Sequence, residues 1–213
     1  EQMAILVQRV SGMPYKKYFF PSLAGVAFSR NLYAWTSRID PRRGMIRLVF
    51  GLGTRAVNRV VDVYPRMIAA SQPELRPEIG ALVTKYSQRN ADVLNLETNS
   101  FVTEPFTSLV AGNDYPHLGL LVSSMADGYL HDLSSSEKTD RNLVLTFNNL
   151  IKRTQLVKIM DEILITLEKA WEQPVDIEFT AHIDSNGNVK VNLLQCRSLR
   201  LPRMSGADIT IPS

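Results

Sequence analysis

The sequence of 213 residues predicts an α+β fold in which mostly antiparallel strands pack with helices. Three observations carry that expectation. Residues 175–183 and 189–197 alternate apolar and polar side chains on either side of Asn186-Gly187, the dipeptide that most strongly marks a β-hairpin. Residues 153–171 place Leu156, Ile159, Met160, Ile163, Leu164, Leu167 and Ala170 at three-four spacing, with Lys and Glu between them, as an amphipathic helix requires. Apolar runs at 3–10, 24–29 and 45–50, separated by Gly, Pro and Ser breaks, read as strands.

The remaining elements follow in order. The chain opens inside the first strand-like run with no basic-then-apolar leader, so it reads as a piece of a longer, cytoplasmic protein. Residues 13–21 are loop-like and rich in aromatic rings. Asp40-Pro41 marks a turn, and Arg38, Arg42 and Arg43 around it read as a solvated basic turn, with a phosphate-facing role as the rival reading. Residues 51–56, Gly-Leu-Gly-Thr-Arg-Ala, formally match a dinucleotide-binding fingerprint after an apolar strand. Pro65 interrupts the helix that such a motif needs, so a glycine turn between sheet elements is the better account. Residues 78–88 look helical after Pro73 and Pro77, the second half of 86–97 alternates like a strand, and 143–147 is another strand. Pro174 stops the long helix before the hairpin. The stretch from about 70 to 140 carries no assignable motif and is expected to be a possible insertion within one domain spanning 1–213.

Composition narrows the function classes. A hydrophobic fraction of 45% and a charged fraction of 21% suit an ordinary globular chain. The net charge of +3 is too small to argue for nucleic acid, although it permits anionic ligands. No run of about 18 apolar residues argues for a membrane span. The single cysteine, Cys196, rules out an internal disulfide, and its place on the apolar side of the hairpin predicts a packed thiol. His117, His131 and His182 are scattered, and no Gly-x-Ser-x-Gly elbow supports a hydrolytic triad.

The hairpin is where chemistry concentrates. With Asn186-Gly187 as the turn, Glu178 faces Gln195 and Asp176 faces Arg197, all four on one side. Val175, Ile177, Phe179, Leu194 and Cys196 take the other, apolar side. The polar face suits a carboxylate holding a divalent metal, a bridging amide and a guanidinium meeting phosphate. A solvated face with one cross-strand ion pair accounts for the same pattern.

These residues also carry a family resemblance. The segments Asp176-Ile-Glu-Phe and Leu193-Leu-Gln-Cys-Arg, with Leu6-Val-Gln-Arg-Val, Ala24-Gly-Val-Ala-Phe-Ser-Arg-Asn and Val49-Phe-Gly-Leu-Gly before them, resemble the phosphoenolpyruvate synthase and pyruvate phosphate dikinase family. The likeness touches residues 1–70 and 140–202, and it departs from the family at Thr54, where a Glu is usual. It implies an ATP-grasp-like subdomain that takes ATP with Mg2+. It places Glu178 and Gln195 at the metal, Gln195 and Arg197 at the phosphates with Arg197 catalytic, and Gln8, Arg9 and Val10 at the adenine edge. The implied reaction moves a phosphoryl group from ATP to a histidine on another domain and then to pyruvate. Preceding and following domains would complete the machine, so this stretch alone is expected to be inactive. Two alternatives remain: a related phosphotransferase with another acceptor, such as a rifampin phosphotransferase or a glucan, water dikinase, and a degenerate, non-catalytic nucleotide-binding module.

Overall fold

The computed structural model describes residues 5, 7–57, 63–112, 114–133 and 142–199. A tight hairpin, β1 (Met13–Tyr15) and β2 (Tyr18–Phe20), is followed by β3 (Leu23–Phe28) and β4 (Met45–Val49). A single helical turn, α1 (Thr54–Val57), precedes β5 (Arg66–Ala69). Next come α2 (Ala81–Lys85), β6 (Asn90–Asn95), β7 (Ser100–Pro105), α3 (Phe106–Leu109) and α4 (Leu118–Leu121). The last part holds β8 (Val122–Ala126), β9 (Tyr129–Asp132), β10 (Leu143–Leu145), α5 (Asn148–Arg153), α6 (Leu156–Trp171), β11 (Val175–Ile183) and β12 (Val189–Ser198).

The strands form three antiparallel sheets: β12-β11-β3-β4-β5, β1-β2-β6-β7 and β10-β8-β9. The first positions the site. Its period-two alternation sends Leu23, Ala27, Ile46, Leu48, Ile68, Ile177 and Phe179 to one face, where each is buried. Helix α6 lies against that face and buries Leu156, Val157, Met160 and Leu164 in the same core. Burying each of the larger side chains contributes about 1.5–3 kcal/mol. The fit is close at Gly44, where a Cβ would stand 2.7 Å from Leu164 Cδ1. Ion pairs Arg43–Asp161 and Arg30–Glu168 tie the β3–β4 connection to α6, and Arg42 pairs with Asp40 at 3.0 Å.

The segment between 70 and 140 shares this core. Phe106, Leu109, Tyr115, Leu118 and Leu121 belong to one buried cluster with Phe20, Leu23 and Phe50. Phe50 meets Phe20 and Phe106 edge-on, each with ring centroids 5.3 Å apart. Strands β6 and β7 of this segment extend the sheet begun by β1 and β2 near the other end of the chain.

Three local expectations need correction, the first being residues 13–21, expected as a loop, which form the hairpin of β1 and β2. The strand-like run at 3–10 forms no ladder at residues 5 and 7–10, and residues 1–4 and 6 lie outside the described residues. Residues 7–11 instead run past the edge strand β12, meeting it by side chains: Gln8 Nε2 donates to Leu194 O at 3.0 Å, and Asn192 Nδ2 to Ser11 Oγ at 2.9 Å. The helix expected over 78–88 is reduced to α2, with Gly80 at φ 59° before it and Gln88, beyond its end, bonded to the backbone of Phe50. The glycine-turn reading of 51–56 holds: only one helical turn follows, between antiparallel strands, which excludes the dinucleotide-binding arrangement.

Candidate functional site

Strands β11 and β12 pair antiparallel, with Glu178 opposite Gln195 and Asp176 opposite Arg197. The route to that register differs from a two-residue turn. The connection is a five-residue loop, with Ile183 opposite Val189 and Gly187 at φ 83°. Asp184 Oδ1 accepts from the backbone N–H groups of Asn186 and Asn188, which nucleates the loop. A loop centred on Asn186 alone would put Glu178 opposite Leu194. The pairing shifts by one residue between Glu178 and Phe179, so that Leu194 is the extra residue of a β-bulge and the polar residues regain a common face.

The polar row continues across the sheet. Asp176 neighbours Phe28 and then Met45, while Glu178 neighbours Val26, Arg47 and Met67 in turn. Adjacent strands lie about 4.8 Å apart, so the backbones carrying Glu178 and Arg47 flank Val26 at roughly 10 Å. A cleft of about 790 Å³ opens on this face, with Val26, Phe28, Met45, Arg47 and Met67 as its floor. Tyr33, Tyr64, Tyr86, Arg30 and Glu78 stand around it, and Asp176 and Arg197 form its polar end. The volume suits a small organic ligand, and an apolar floor with a few convergent charges is what such sites share.

Electrostatics at the polar end are set by one cross-strand pair. Arg197 Nε donates to Asp176 Oδ1 at 2.6 Å, which, with the attraction of the same carboxylate, raises the guanidinium above its ordinary range. The Arg197 side chain is 55% exposed and Asp176 14%, so the acid is the fixed partner and the arginine the reaching one. Glu178 is half-buried and has no hydrogen bond or ion pair among the described residues. Gln195 beside it is exposed. Behind them the Cys196 thiol packs on the core, and burial, then Asp176, pushes its pKa up.

Gln8 approaches the same hairpin through Leu194 O, one residue from Gln195. Arg9 and Val10 are exposed in the described structure. The glycine loop is held from the middle segment. Gln88 donates from Nε2 to Phe50 O at 2.9 Å and accepts from Phe50 N at 2.8 Å, imitating a strand. Asp92, 6% exposed, accepts from Thr54 Oγ1 and Thr103 Oγ1, each at 2.6 Å, and from Arg55 Nε at 2.9 Å. Thr54 therefore anchors the loop to β6.

Sequence reasoning passed over Arg47, Glu78, Tyr64 and Tyr86. Arg47 had a signal, an arginine in the centre of the otherwise apolar strand 45–49. The others reach the cleft from connections whose paths only the fold reveals.

Comparison with known families identifies the domain. The family model described as pyruvate phosphate dikinase, AMP/ATP-binding domain, matches residues 1–208. The chain belongs to that family. The mostly antiparallel mixed α/β architecture agrees with an ATP-grasp-like domain. Among curated proteins none matches the chain. Family membership makes this an AMP/ATP-binding domain of kinase-type phosphotransferases. Among the described residues no helix is long and apolar enough to cross a membrane.

Among the described residues no three His, Cys, Asp or Glu side chains gather. Asp176 is committed to Arg197, whereas Glu178 has no such partner and stands opposite the Gln195 amide. One carboxylate and one amide oxygen suit Mg2+, which keeps several waters and is completed by substrate phosphates.

Proposed function

We propose that the chain is the ATP-binding part of a phosphoenolpyruvate synthase-like (pyruvate, water dikinase) phosphotransferase of the cytoplasm. On this reading a phosphoryl group passes from Mg-ATP to a histidine on another domain and then to pyruvate. The observation that supports it best is the placement of Glu178, Gln195, Asp176 and Arg197 on one face, beside a 790 Å³ cleft, in an AMP/ATP-binding domain.

Each residue has a task on this reading. Arg197, oriented through its Nε by Asp176, points its remaining N–H groups at phosphate oxygens that gain charge as the phosphoryl group leaves. Glu178 and Gln195 would hold Mg2+, which when bound neutralises phosphate charge. Gln8, Arg9 and Val10 would border the adenine, with Gln8 fixed against the Leu194 carbonyl. The apolar floor of Val26, Phe28, Met45 and Met67 gives the ligand one low-dielectric side, which strengthens the charges set against it. Catalysis of this kind is positioning plus charge stabilisation, which a rigid sheet supplies.

The test is calorimetric. ATP is titrated into the chain with and without Mg2+, beside adenosine. The reading expects ATP to bind more tightly than adenosine, and Mg2+ to add a further increment that Glu178→Ala removes. Equal affinity for ATP and adenosine would sink it.

A further inference from the structure

The cross-strand rows of the main sheet set an order of side chains along the cleft. One row runs Gln195, Glu178, Val26, Arg47, Met67 from β12 to β5. The row beside it runs Arg197, Asp176, Phe28, Met45. Directly opposed residues point to the same side of a sheet, so Arg47 rises from the cleft floor in line with Glu178. Between those two stands Val26, a short side chain, where the neighbouring row carries Phe28. The backbones of Glu178 and Arg47 are roughly 10 Å apart, which leaves room over Val26 between a carboxylate and a guanidinium.

Among the described residues three arginines line the cleft, and they stand differently. Arg30 gives Nη1 to Arg42 O at 2.7 Å and Nη2 to Glu168, neither of which lines the cleft. Arg197 is turned by Asp176 at the polar end. Arg47 is half-buried on the floor beside Val26, Met45 and Met67, where a charge contact is stronger than at an exposed rim. It is also engaged within the protein. With five N–H donors, a guanidinium can keep that contact and still face a ligand.

We propose that Arg47 meets the terminal phosphoryl group of a bound nucleoside triphosphate, across Val26 from Glu178. On the reading above, on which this rests, Mg-ATP lies with its adenine beside Gln8, Arg9 and Val10 and its phosphates at Glu178, Gln195 and Arg197. Gln8 is bonded to Leu194 O on β12, the edge strand, so the phosphate chain runs inward across the sheet from that edge. The inner phosphates lie over β12 and β11. The outermost group is farthest from the base and reaches the space over Val26, in front of Arg47. A planar fork of donors there matches the oxygens of a phosphoryl group. AMP ends at its first phosphate, two groups short of that position. Arg47 therefore distinguishes the two nucleotides in the family's description.

The experiment is calorimetric titration of Mg-ATP, AMP and adenosine into the 213-residue chain and into Arg47→Met, which keeps an unbranched stem on the floor. Arg47→Met should weaken ATP binding roughly tenfold or more, while AMP and adenosine bind as they do to the parent. An equal loss for ATP and AMP would mean that Arg47 only shapes the floor, and would overturn the proposal. So would ATP affinity unchanged by the substitution. In both cases the reading of the site survives if the parent prefers ATP to adenosine; a parent without that preference refutes the two together. Should Arg47→Met fail to fold, modification of the parent by phenylglyoxal decides, read at Arg47 by peptide mass spectrometry. Saturating Mg-ATP should slow labelling of Arg47 several-fold, and saturating AMP should not. Equal labelling with ATP, with AMP and without nucleotide, or an Arg47 that the reagent never reaches, would overturn the proposal.

Discussion

Arg197→Ala separates binding from folding. The side chain is 55% exposed, and an exposed ion pair is worth about 0–1 kcal/mol. Its removal leaves Asp176, 14% exposed, without its partner, which pushes the expected loss toward about 1–2 kcal/mol. No core cavity is created, so the melting temperature should fall by only a few degrees. Binding should suffer more. A charge-assisted hydrogen bond to phosphate contributes about 1.5–3 kcal/mol, or roughly a 10- to 150-fold change in Kd. The assay is calorimetry with ATP, AMP and adenosine. Affinity for ATP should fall by that factor, while adenosine binds unchanged. Arg197→Lys should restore little, because an ammonium cannot both engage Asp176 and present a planar fork to phosphate. Asp176→Asn keeps the arginine but loosens its aim, so ATP affinity should lie between parent and Arg197→Ala. If Arg197→Ala binds ATP as tightly as the parent, Arg197 does not meet the nucleotide, and the polar face is only a solvated ion pair.

Other perturbations test the scaffold. Asp92→Ala leaves the partly buried Arg55 guanidinium and two hydroxyls without their acceptor, so chemical denaturation should show a loss of about 1–3 kcal/mol or more; a loss well below about 1 kcal/mol would show that the loop is not held there. Gly25→Ala puts a Cβ 2.3 Å from Arg47 O and 3.0 Å from the Phe179 ring, and should cost about 1–3 kcal/mol or more by overpacking, visible as a lowered denaturation midpoint. Burial raises the Tyr115 hydroxyl from 10.0 to about 12, with Ser22 opposing. A raised folded-state pKa gives stability that is present below pH 10 and lost as pH climbs toward 12, on the order of 2–3 kcal/mol. Tyr115→Phe should flatten stability across that window, and an unchanged slope would assign alkaline unfolding to other groups.

What the sequence made legible was local. Alternation in 175–183 and 189–197 and three-four spacing in 156–164 follow from strand and helix geometry, which every residue reports within a few neighbours. The register of Glu178 against Gln195 was also readable, though by a compensation. The five-residue loop slips the pairing by one, and the bulge at Leu194 slips it back. A two-residue turn and a longer loop with a bulge leave the same alternation beyond the bulge, so the pattern did not distinguish them. The aromatic and acidic rim of Tyr64, Tyr86 and Glu78 was not legible, because each comes from a connection rather than a periodic element.

The middle segment was opaque for a physical reason that bears on the site. Its motifs are answers to residues far away in sequence. Gln88 pairs with the backbone of Phe50, and Asp92 collects Thr54 and Arg55, so neither shows its purpose until β6 lies beside the glycine loop. Thr54 looked like a lost functional acid by resemblance, yet its hydroxyl has a defined partner 2.6 Å away. A carboxylate there would face Asp92, and two acids that close in a buried setting repel unless one takes up a proton. Thr54 and Asp92 are therefore a matched pair, and the departure at Thr54 is explained by packing without invoking a loss of nucleotide binding. The consequence is that the glycine loop, and α1 whose Val57 reaches the cleft, depend for their position on a segment that itself reaches the cleft through Glu78 and Tyr86.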